Sequence, residues 1–491
     1  MKMNEISLRK ILKGVNVLRG SLCKNKKIQG IASDSRKIKQ GYLFVAIKGE
    51  KRNGNDYIEE AIKNGAEIII SDVKSSFEQV ILVDDARKAL AIIWNNYYKK
   101  PSKRMKILAV TGTNGKTSTA YYIYSVLRAS KKRVGLISTV NTIINDKKYE
   151  NEGGSDVVDI ASAMTTPDPE KLYEIIYRMK KESVKYLVLE ASSHAIAYKK
   201  LCGIKPYVGM FTNLSEEHLD FHKSMAEYFM IKKRLIDECK YKIVNVDDNY
   251  GAKIYDEYKK IIAVSKKKKS SFYCKKTAKT DTGYDIFINN KKNCLKIKSD
   301  IIGDFAIDNM LIAAACCKTL KIKDKYIIEG LESCKIPGRM EKYEDKNIFI
   351  DYAHTPLAME CVLNSVKKRF CDKKIVVLFG CGGNRDKYKR KKMGEIASRL
   401  CDEIIVTSDN SRMEDPQTII DEIIEGVSEK DKMLIFINRR DAIFYAVKNL
   451  TDEKILILLG KGHEKYEINK NGKFYFDERQ VLKEAFSCDK H

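Results

Sequence analysis

Short apolar runs recur along the chain at 106–111, 134–138, 186–190, 207–212 and 242–246, separated by stretches whose apolar positions return every three or four residues. Unbroken runs alternating with helical stretches predict strands buried on both faces, so residues 102–335 read as a largely parallel sheet covered by helices. Before it, residues 1–101 form a first unit, with strands at 42–47, 67–70 and 80–83 and helices at 56–64 and 86–98. Lys99-Lys100-Pro101-Ser102-Lys103 breaks the pattern and predicts a linker. From Ile336-Pro337-Gly338-Arg339 onward, runs at 347–351, 374–380, 403–407, 433–437 and 454–459 predict a second αβ sheet of Rossmann-like type over 336–491. Two alternating segments, 284–288 and 294–298, predict a hairpin appended to the middle unit. The expected fold class is α/β in three domains, the central one a phosphate-loop type with a mostly parallel sheet.

Ligands of such sheets bind at the carboxyl ends of the strands. The first apolar run of the middle unit ends in Thr111-Gly112-Thr113-Asn114-Gly115-Lys116-Thr117-Ser118, and a helical stretch, 119–128, follows. A glycine-rich turn between strand and helix leaves N–H groups pointing at one spot, where the helix dipole also favours an anion. Lys116 would reach the outer phosphates of a nucleotide, and the Thr117 or Ser118 hydroxyl would ligate Mg²⁺. The loop is a variant, because Val110 stands where the usual pattern has its first glycine and Gly112 is the nearer partner.

Composition narrows the class. The 491 residues are 44% hydrophobic, carry no segment long and apolar enough to span a bilayer, and begin without a signal-peptide core, so a cytoplasmic protein is expected. Thirteen cysteines without a Cys-x-x-Cys pair suggest neither a disulfide framework nor a zinc ribbon. The net charge of +26 raises the question of nucleic acid, but the lysines are spread along the chain and the one dense run, 266–269, lies between two β-like segments. A solvated basic surface is the better reading, and no nucleic-acid partner is expected.

Five of the six histidines sit in dense polar motifs: His194, His218, His222, His354 and His463. Glu190 closes a buried-looking strand beside the phosphate loop, where a carboxylate suits Mg²⁺ because hard cations prefer oxygen. His218 and His222 are four apart, as zinc ligands on a helix can be, but no third soft ligand is near, and a role for His218 beside Mg²⁺ and phosphate is preferred. Ser224-Met225-Ala226-Glu227 is a capping box that starts a helix. From spacing alone, Lys232, Lys233 and Arg234 on that helix read as a solvated face. The polar loops around Ser33 and Ser35, and around Glu50, Lys51 and Arg52, likewise read from the residues alone as solvated loops.

Taken together, 112–117, Thr165-Thr166-Pro167, 190–194, Thr212-Asn213-Leu214 with 217–222, 351–354 and 380–386 resemble the Mur ligases, over essentially the whole chain. Within that family the likeness is to the ligases that add the third residue of the peptidoglycan stem peptide to UDP-N-acetylmuramoyl-L-alanyl-D-glutamate. The resemblance implies an ATP-dependent amide ligase working through an acyl phosphate, with domains 1–101, 102–335 and 336–491 binding the UDP-sugar, ATP and the amino acid in turn. Ser33, Ser35, Glu50, Lys51, Arg52, Thr165, Thr166, Ser192, Tyr198 and Lys200 would meet the UDP-MurNAc-dipeptide. Gly112, Thr113, Asn114, Gly115, Lys116, Thr117, Ser118, Asn309, Arg339 and Asp351 would bind ATP. Thr117, Glu190, His218 and a carbamylated Lys232 would serve Mg²⁺, and Lys116, Lys232, His218 and Arg339 would be catalytic. Asp409-Asn410-Ser411-Arg412 resembles the Asp-Asn-Pro-Arg signature of meso-diaminopimelate enzymes and, with Arg385, Gly460 and Glu464, would hold that amino acid. Arg412 would pair with its extra carboxylate and Glu464 with its ammonium. Four departures from the family pattern stand out: Tyr198, Lys200, Ala306 and Ser411. A monomer is expected. The alternatives are the same ligation with L-lysine or lanthionine, and a folylpolyglutamate-type ligase.

Overall fold

The computed structural model describes residues 5–20, 26–49, 52–149, 165–219, 221–280, 283–290, 293–300 and 303–488. Its described strands fall mainly into three sheets. The first has five strands, in the order Val17–Arg19, Val80–Val83, Ala66–Ser71, Tyr42–Val45, Gly30–Ala32, all parallel except the first pairing. The second has eleven. Its parallel centre runs Val134–Ile137, Tyr186–Glu190, Lys106–Thr111, Val208–Phe211, Tyr241–Asn245, Ile262–Ser265, Phe272–Lys279. The third has six, with the parallel order Ile348–Asp351, Lys454–Leu459, Lys374–Phe379, Glu403–Thr407, Met433–Phe436 and a short antiparallel edge at Glu341–Lys342.

The middle sheet forms because its strands are apolar on both faces. Ile107, Leu108, Ala109 and Val110 are all 0–1% exposed, each large side chain contributing roughly 1.5–3 kcal/mol through burial. One face is covered by helices Lys116–Ala129 and Phe305–Thr319, which share a core with Leu108, Val110 and Val188. The opposite face is covered by helices Ala86–Tyr97 and Pro169–Lys181, and there Trp94 of the first unit packs in one cluster with Ile107, Leu187 and Tyr173. The segment expected to be a linker is therefore no open spacer. Pro101–Arg104 is a tight 3-10 turn with Pro101 and Ser102 buried, closed between two cores that have merged.

The hairpin Tyr284–Asn290/Cys294–Ser299 forms, but as an extension of the main sheet: Tyr284–Asn290 pairs with Phe272–Lys279. In the capping box, Ser224 Oγ accepts from Glu227 N at 3.2 Å while the Glu227 carboxylate accepts from Lys223 N at 2.9 Å, and helix Met225–Asp237 follows. Parallel pairing fixes where the chemistry can lie. Thr111, Glu190 and Phe211 end adjacent strands on one edge of the second sheet, and Asp351, Thr407 and Leu459 end theirs on one edge of the third.

Candidate active site

The loop 112–115 turns from strand into helix only because two positions are glycine. Gly112 has φ +147°, and a Cβ there would sit 1.8 Å from Thr212 Oγ1. That close approach is used: Thr212 Oγ1 donates to Asn114 O at 2.6 Å, Asn213 Oδ1 accepts from Asn114 N at 2.9 Å, and Thr113 N donates to Asn213 O at 2.8 Å. The neighbouring strand end thus shapes the loop. Asn309, on the helix Phe305–Thr319, is buried and accepts from Thr119 Oγ1 at 3.3 Å, so it braces the loop's helix.

Two lysines converge on one carbonyl. Lys116 Nζ donates to Gly112 O at 3.0 Å and Thr113 O at 2.6 Å, and Lys232 Nζ donates to Gly112 O at 2.7 Å. Lys232 is 1% exposed and lies 4.7 Å over the Tyr228 ring. Burial first, and the neighbouring Lys116 second, push its amine well below the ordinary lysine value, with Glu217 opposing. The reading of Lys232 as a solvated face from helical spacing is thereby corrected: the helix turns this position inward. Lys116 is lowered too, chiefly by burial, against Glu217 and Glu190.

Glu190 is fully buried, and its carboxylate accepts from Thr117 Oγ1 at 3.2 Å, Thr139 Oγ1 at 2.9 Å and Thr139 N at 3.2 Å. Burial raises its pKa while Lys116, Thr139 and Arg339 pull it down. A hydroxyl and a carboxylate this close, at the N-terminus of a helix, are an oxygen-only pair that fits Mg²⁺. Among the described residues there is no group of three or more His, Cys, Asp or Glu able to hold a metal. His222 is turned to Ser193 Oγ at 3.0 Å and stacks on Tyr228. His218 sits on a left-handed turn, its ring 5.0 Å from His194 and its Nε2 3.9 Å from a Glu217 oxygen.

Thr165, Thr166 and Ser192 come together beside Glu190. Thr166 Oγ1 donates to Glu190 O at 2.8 Å and accepts from Ser192 N at 3.2 Å, and Thr139 Oγ1, its own hydrogen given to Glu190, lies 3.1 Å from the Thr165 hydroxyl and accepts from it. Tyr198 carries the Arg87 guanidinium 4.1 Å over its ring and faces Phe221 at 5.2 Å, which joins the first unit to this edge. Lys200 is buried and paired with Asp168 Oδ1 at 2.7 Å. Ser35 is buried in its own unit, with its carbonyl taking Asn64 Nδ2 at 3.1 Å, whereas Ser33 and Arg52 are exposed on loops. Glu50 and Lys51 lie outside the described residues.

The third unit reaches across. Arg339 Nη2 is 3.4 Å from Thr117 Oγ1, and its guanidinium rests 4.6 Å over Tyr352. Asp351 fixes the turn that presents it, taking Met340 N and Ala353 N, each at 2.7 Å. Burial raises the Asp351 pKa, with Arg339 opposing.

At the far strand ends a second polar cluster is already paired. Asn410 Nδ2 donates to Glu464 Oε2 at 2.8 Å, while Asn410 Oδ1 accepts from Lys461 Nζ at 3.3 Å and Ile468 N at 2.9 Å. Lys461 also lies 3.9 Å from Asp409. Gly460 has φ +106°, and a Cβ there would sit 2.5 Å from Asp409 Oδ2, so this turn requires glycine. Arg412, at φ +54°, donates to Gly383 O at 3.0 Å and Asn410 O at 3.2 Å, and Arg385 lies close enough to help lower its pKa after burial. Ser411, where the signature has proline, is buried, and the segment around it is stitched by Gly383 N to Asn410 O at 2.9 Å and Met413 N to Asn384 Oδ1 at 3.1 Å. Thr139, Glu217 and Lys461 were given no role by the sequence reading, although Glu217 and Lys461 lay inside the polar motifs around His218 and His463 that could have flagged them; Thr139 lay in none.

Comparison with known proteins covers most of the chain. Residues 27–98 match the Mur ligase family catalytic domain, 110–317 the Mur ligase middle domain and 338–462 the Mur ligase glutamate ligase domain. The chain is 37% identical to the UDP-N-acetylmuramoyl-L-alanyl-D-glutamate--2,6-diaminopimelate ligase of Clostridium perfringens, over 97% of this chain and 98% of that one. It is 38% identical to the enzyme of the same name from Caldanaerobacter subterraneus, over 97% and 98%. A solved structure of a ligase of that name superposes with a TM-score of 0.69 at 25% identity, over 99% of this chain and 100% of the other. A folylpolyglutamate synthase from Mycobacterium tuberculosis shares the fold at 16% identity, with a TM-score of 0.62 over 76% of this chain and 92% of that one.

Proposed function

The chain belongs to the Mur ligase family, and we propose that it joins meso-2,6-diaminopimelate to UDP-MurNAc-L-Ala-D-Glu at the expense of ATP, in peptidoglycan precursor synthesis. The observation that carries the choice of amino acid is the charge-balanced cluster of Asp409, Asn410, Arg412, Lys461 and Glu464 at the strand ends of the third sheet. Diaminopimelate has a carboxylate and an ammonium at the end where lysine has only the ammonium. Arg412 pairs with that carboxylate through its planar fork, Glu464 takes the ammonium, and Arg385 adds positive charge.

The ATP phosphates lie on the N–H groups at the helix start, 115–118, those of Thr113 and Asn114 being held by Asn213, with Lys116 over the outer phosphates and Arg339 closing on them from the third unit. Thr117 and Glu190 would hold Mg²⁺, which would supply charge neutralisation at the phosphate oxygens. The D-glutamate γ-carboxylate attacks the γ-phosphorus, ADP leaves, and an acyl phosphate results. The amine of diaminopimelate then attacks the acyl carbon, and phosphate departs.

A buried lysine whose amine is pushed well below its ordinary value is a nucleophile for carbon dioxide. Lys232 forms an N–C bond to it and releases a proton to solvent, and the carbamate places an anion where an ammonium would repel Lys116. The UDP-MurNAc-dipeptide runs from the Ser33, Ser35 and Arg52 loops past Tyr198 to Thr165, Thr166 and Ser192, which stand beside Glu190. A cytoplasmic, monomeric enzyme is expected on the family's pattern.

Phosphate release with UDP-MurNAc-L-Ala-D-Glu, measured with diaminopimelate, L-lysine or no amino acid, tests the proposal. Turnover should require an amino acid and favour diaminopimelate by at least tenfold in kcat/KM. Equal turnover with L-lysine would remove the role of Arg412, and turnover with neither would remove the activity.

A further inference from the structure

Two protons must leave the incoming ammonium before it becomes an amide nitrogen, and none of the residues placed so far accepts the one released at attack. His354 belongs to the sequence pattern at 351–354 yet has no part in the steps above. It stands on the loop between strand Ile348–Asp351 and helix Pro356–Arg369, where the second and third units face each other.

Its tautomer is fixed by geometry. Nδ1 lies 2.8 Å from the Tyr352 carbonyl oxygen. A carbonyl only accepts, so Nδ1 carries the hydrogen and Nε2 keeps a lone pair. That Nε2 faces Glu217 Oε1 at 3.9 Å, beyond hydrogen-bond distance, and the side chain remains 41% exposed to the cleft. A basic nitrogen is thus presented, pre-oriented, to the open space between the units.

The position lies between the two half-sites. Tyr352 packs on His354 at 4.7 Å, with Arg339 over its ring on the nucleotide side and His463, next in sequence to Glu464, at 4.8 Å on the amino-acid side. From the second unit, Glu217 also approaches His218 Nε2 at 3.9 Å, so its carboxylate stands between the two imidazoles. The charged and titratable groups around the ring are Glu217 from the second unit and Lys389, Arg339 and His463 from the third. The crowded setting, Lys389 and Arg339 keep the imidazole unprotonated at neutral pH, while Glu217 would steady the imidazolium once formed.

We propose that His354 is the base of the amide-forming step, its Nε2 accepting the proton that the amine loses on attacking the acyl phosphate. The inference rests on the ligation proposed above. The nitrogen pair forms the N–C bond, the carbonyl π pair moves onto oxygen, and the N–H proton goes to Nε2. The oxygen pair then restores the carbonyl as the C–O bond to phosphate breaks and phosphate leaves with that pair. Imidazolium returns its proton to solvent.

Separating the two half-reactions tests this. Acyl-phosphate formation is read without any amino acid, as dipeptide-dependent scrambling of ¹⁸O between the β,γ-bridge and non-bridge positions of ATP. Amide formation is read as tripeptide, and hydroxylamine, an α-effect nucleophile whose weakly basic nitrogen sheds its proton to water on attack without a protein base, is read as hydroxamate. For His354→Gln, the expected result is roughly a 10²- to 10³-fold loss of tripeptide kcat. Isotope scrambling should stay within threefold of the unsubstituted enzyme, and hydroxamate formation should be far less affected than tripeptide. His354→Ala should regain part of its rate with added imidazole. Tripeptide formation within threefold of normal would overturn the assignment, as would scrambling that falls in step with it, since the residue would then be structural or act at phosphoryl transfer. The scrambling and hydroxamate arms need no diaminopimelate, so they judge His354 even if another amino acid proves to be the substrate.

Discussion

The two halves of the cleft hold their charges in opposite ways. On the nucleotide side, Lys116 and Lys232 crowd onto the Gly112 carbonyl, and neither is ion-paired among the described residues. On the amino-acid side, Asp409 has Lys461, Glu464 has Asn410, and Arg412 is tied to two carbonyls before any ligand arrives. With the Lys232 amine pushed well below its ordinary value, the cations left facing the phosphates are Lys116 and Arg339, and such cations in a low-dielectric wall suit a multiply charged anion. A pocket whose charges already balance suits a zwitterion, which exchanges one set of pairings for another. On the proposed function, the same strand-end architecture therefore supplies an electrostatic trap in one sheet and a recognition template in the next.

The largest expected effect breaks the nucleotide half. Lys232→Ala removes the buried amine and, with it, the proposed carbamate, and should lower kcat by roughly 10²- to 10³-fold, the scale of losing one preorganised charge contact. Acetate or formate entering the vacated space should restore part of the rate. Full activity without added acid would show that Lys232 merely fills space, and that the lysine pair is a packing accident.

Much of this contrast could be read from the chain, and the rest fails for physical reasons. The run Lys106–Thr111 followed by Gly112 to Lys116 announces strand, turn and helix locally, and the helix starts at Lys116. The five parallel strands of the third sheet fall within a residue or so of their apolar runs because those runs are unbroken and bounded by polar loops. The short strands Val17–Arg19 and Gly30–Ala32 carry no such signal, being three residues each and dependent on neighbours for pairing. The hairpin at 284–299 was legible as a hairpin, but which sheet edge it joins is set by a partner strand, not by its own alternation. Lys232 could be told from Lys233 only by knowing which face of its helix meets the phosphate loop: Lys233 pairs with Asp237 and Glu257, while Lys232 points inward. Pairings such as Thr139 with Glu190, or Glu217 with His354, join residues far apart in sequence and leave no local pattern.

The next effect sharpens the amino-acid half. Arg412→Lys keeps the charge but loses the planar fork, so a bidentate carboxylate contact becomes a single one. About 1.5–3 kcal/mol of charge-assisted bonding is at stake, which predicts roughly a 10- to 100-fold fall in kcat/KM for diaminopimelate, mostly in KM. L-lysine, lacking that carboxylate, should be nearly indifferent to the change. An equal fall for both amino acids would mean that Arg412 shapes the loop and does not read the substrate.

The smallest effect on turnover asks whether the template is rigid because it is paired in advance. Arg390 is buried and donates to Glu414 at 3.0 and 3.2 Å and to Glu422 at 2.7 Å, while Glu414 also caps the Asn384 amide. This clamp binds the loop after Gly382 to the one carrying Arg412. The Arg390 guanidinium holds the Glu414 carboxyl at about 2, below its ordinary 4.5. A lowered folded-state value means that the stabilisation is complete above pH 4.5 and fades as pH falls toward 2. Glu414→Gln should therefore lower the thermal midpoint of unfolding at pH 7, and the gap from the unsubstituted protein should narrow steadily as the pH drops below 4.5. Above that pH the gap should be flat, because nothing in this pair titrates there. Turnover should change only a few-fold, through KM for the amino acid, because the clamp holds the loop without touching the substrate. A thermal gap that persisted unchanged to pH 3 would assign the stability to packing and leave Arg412 held by its carbonyl contacts alone.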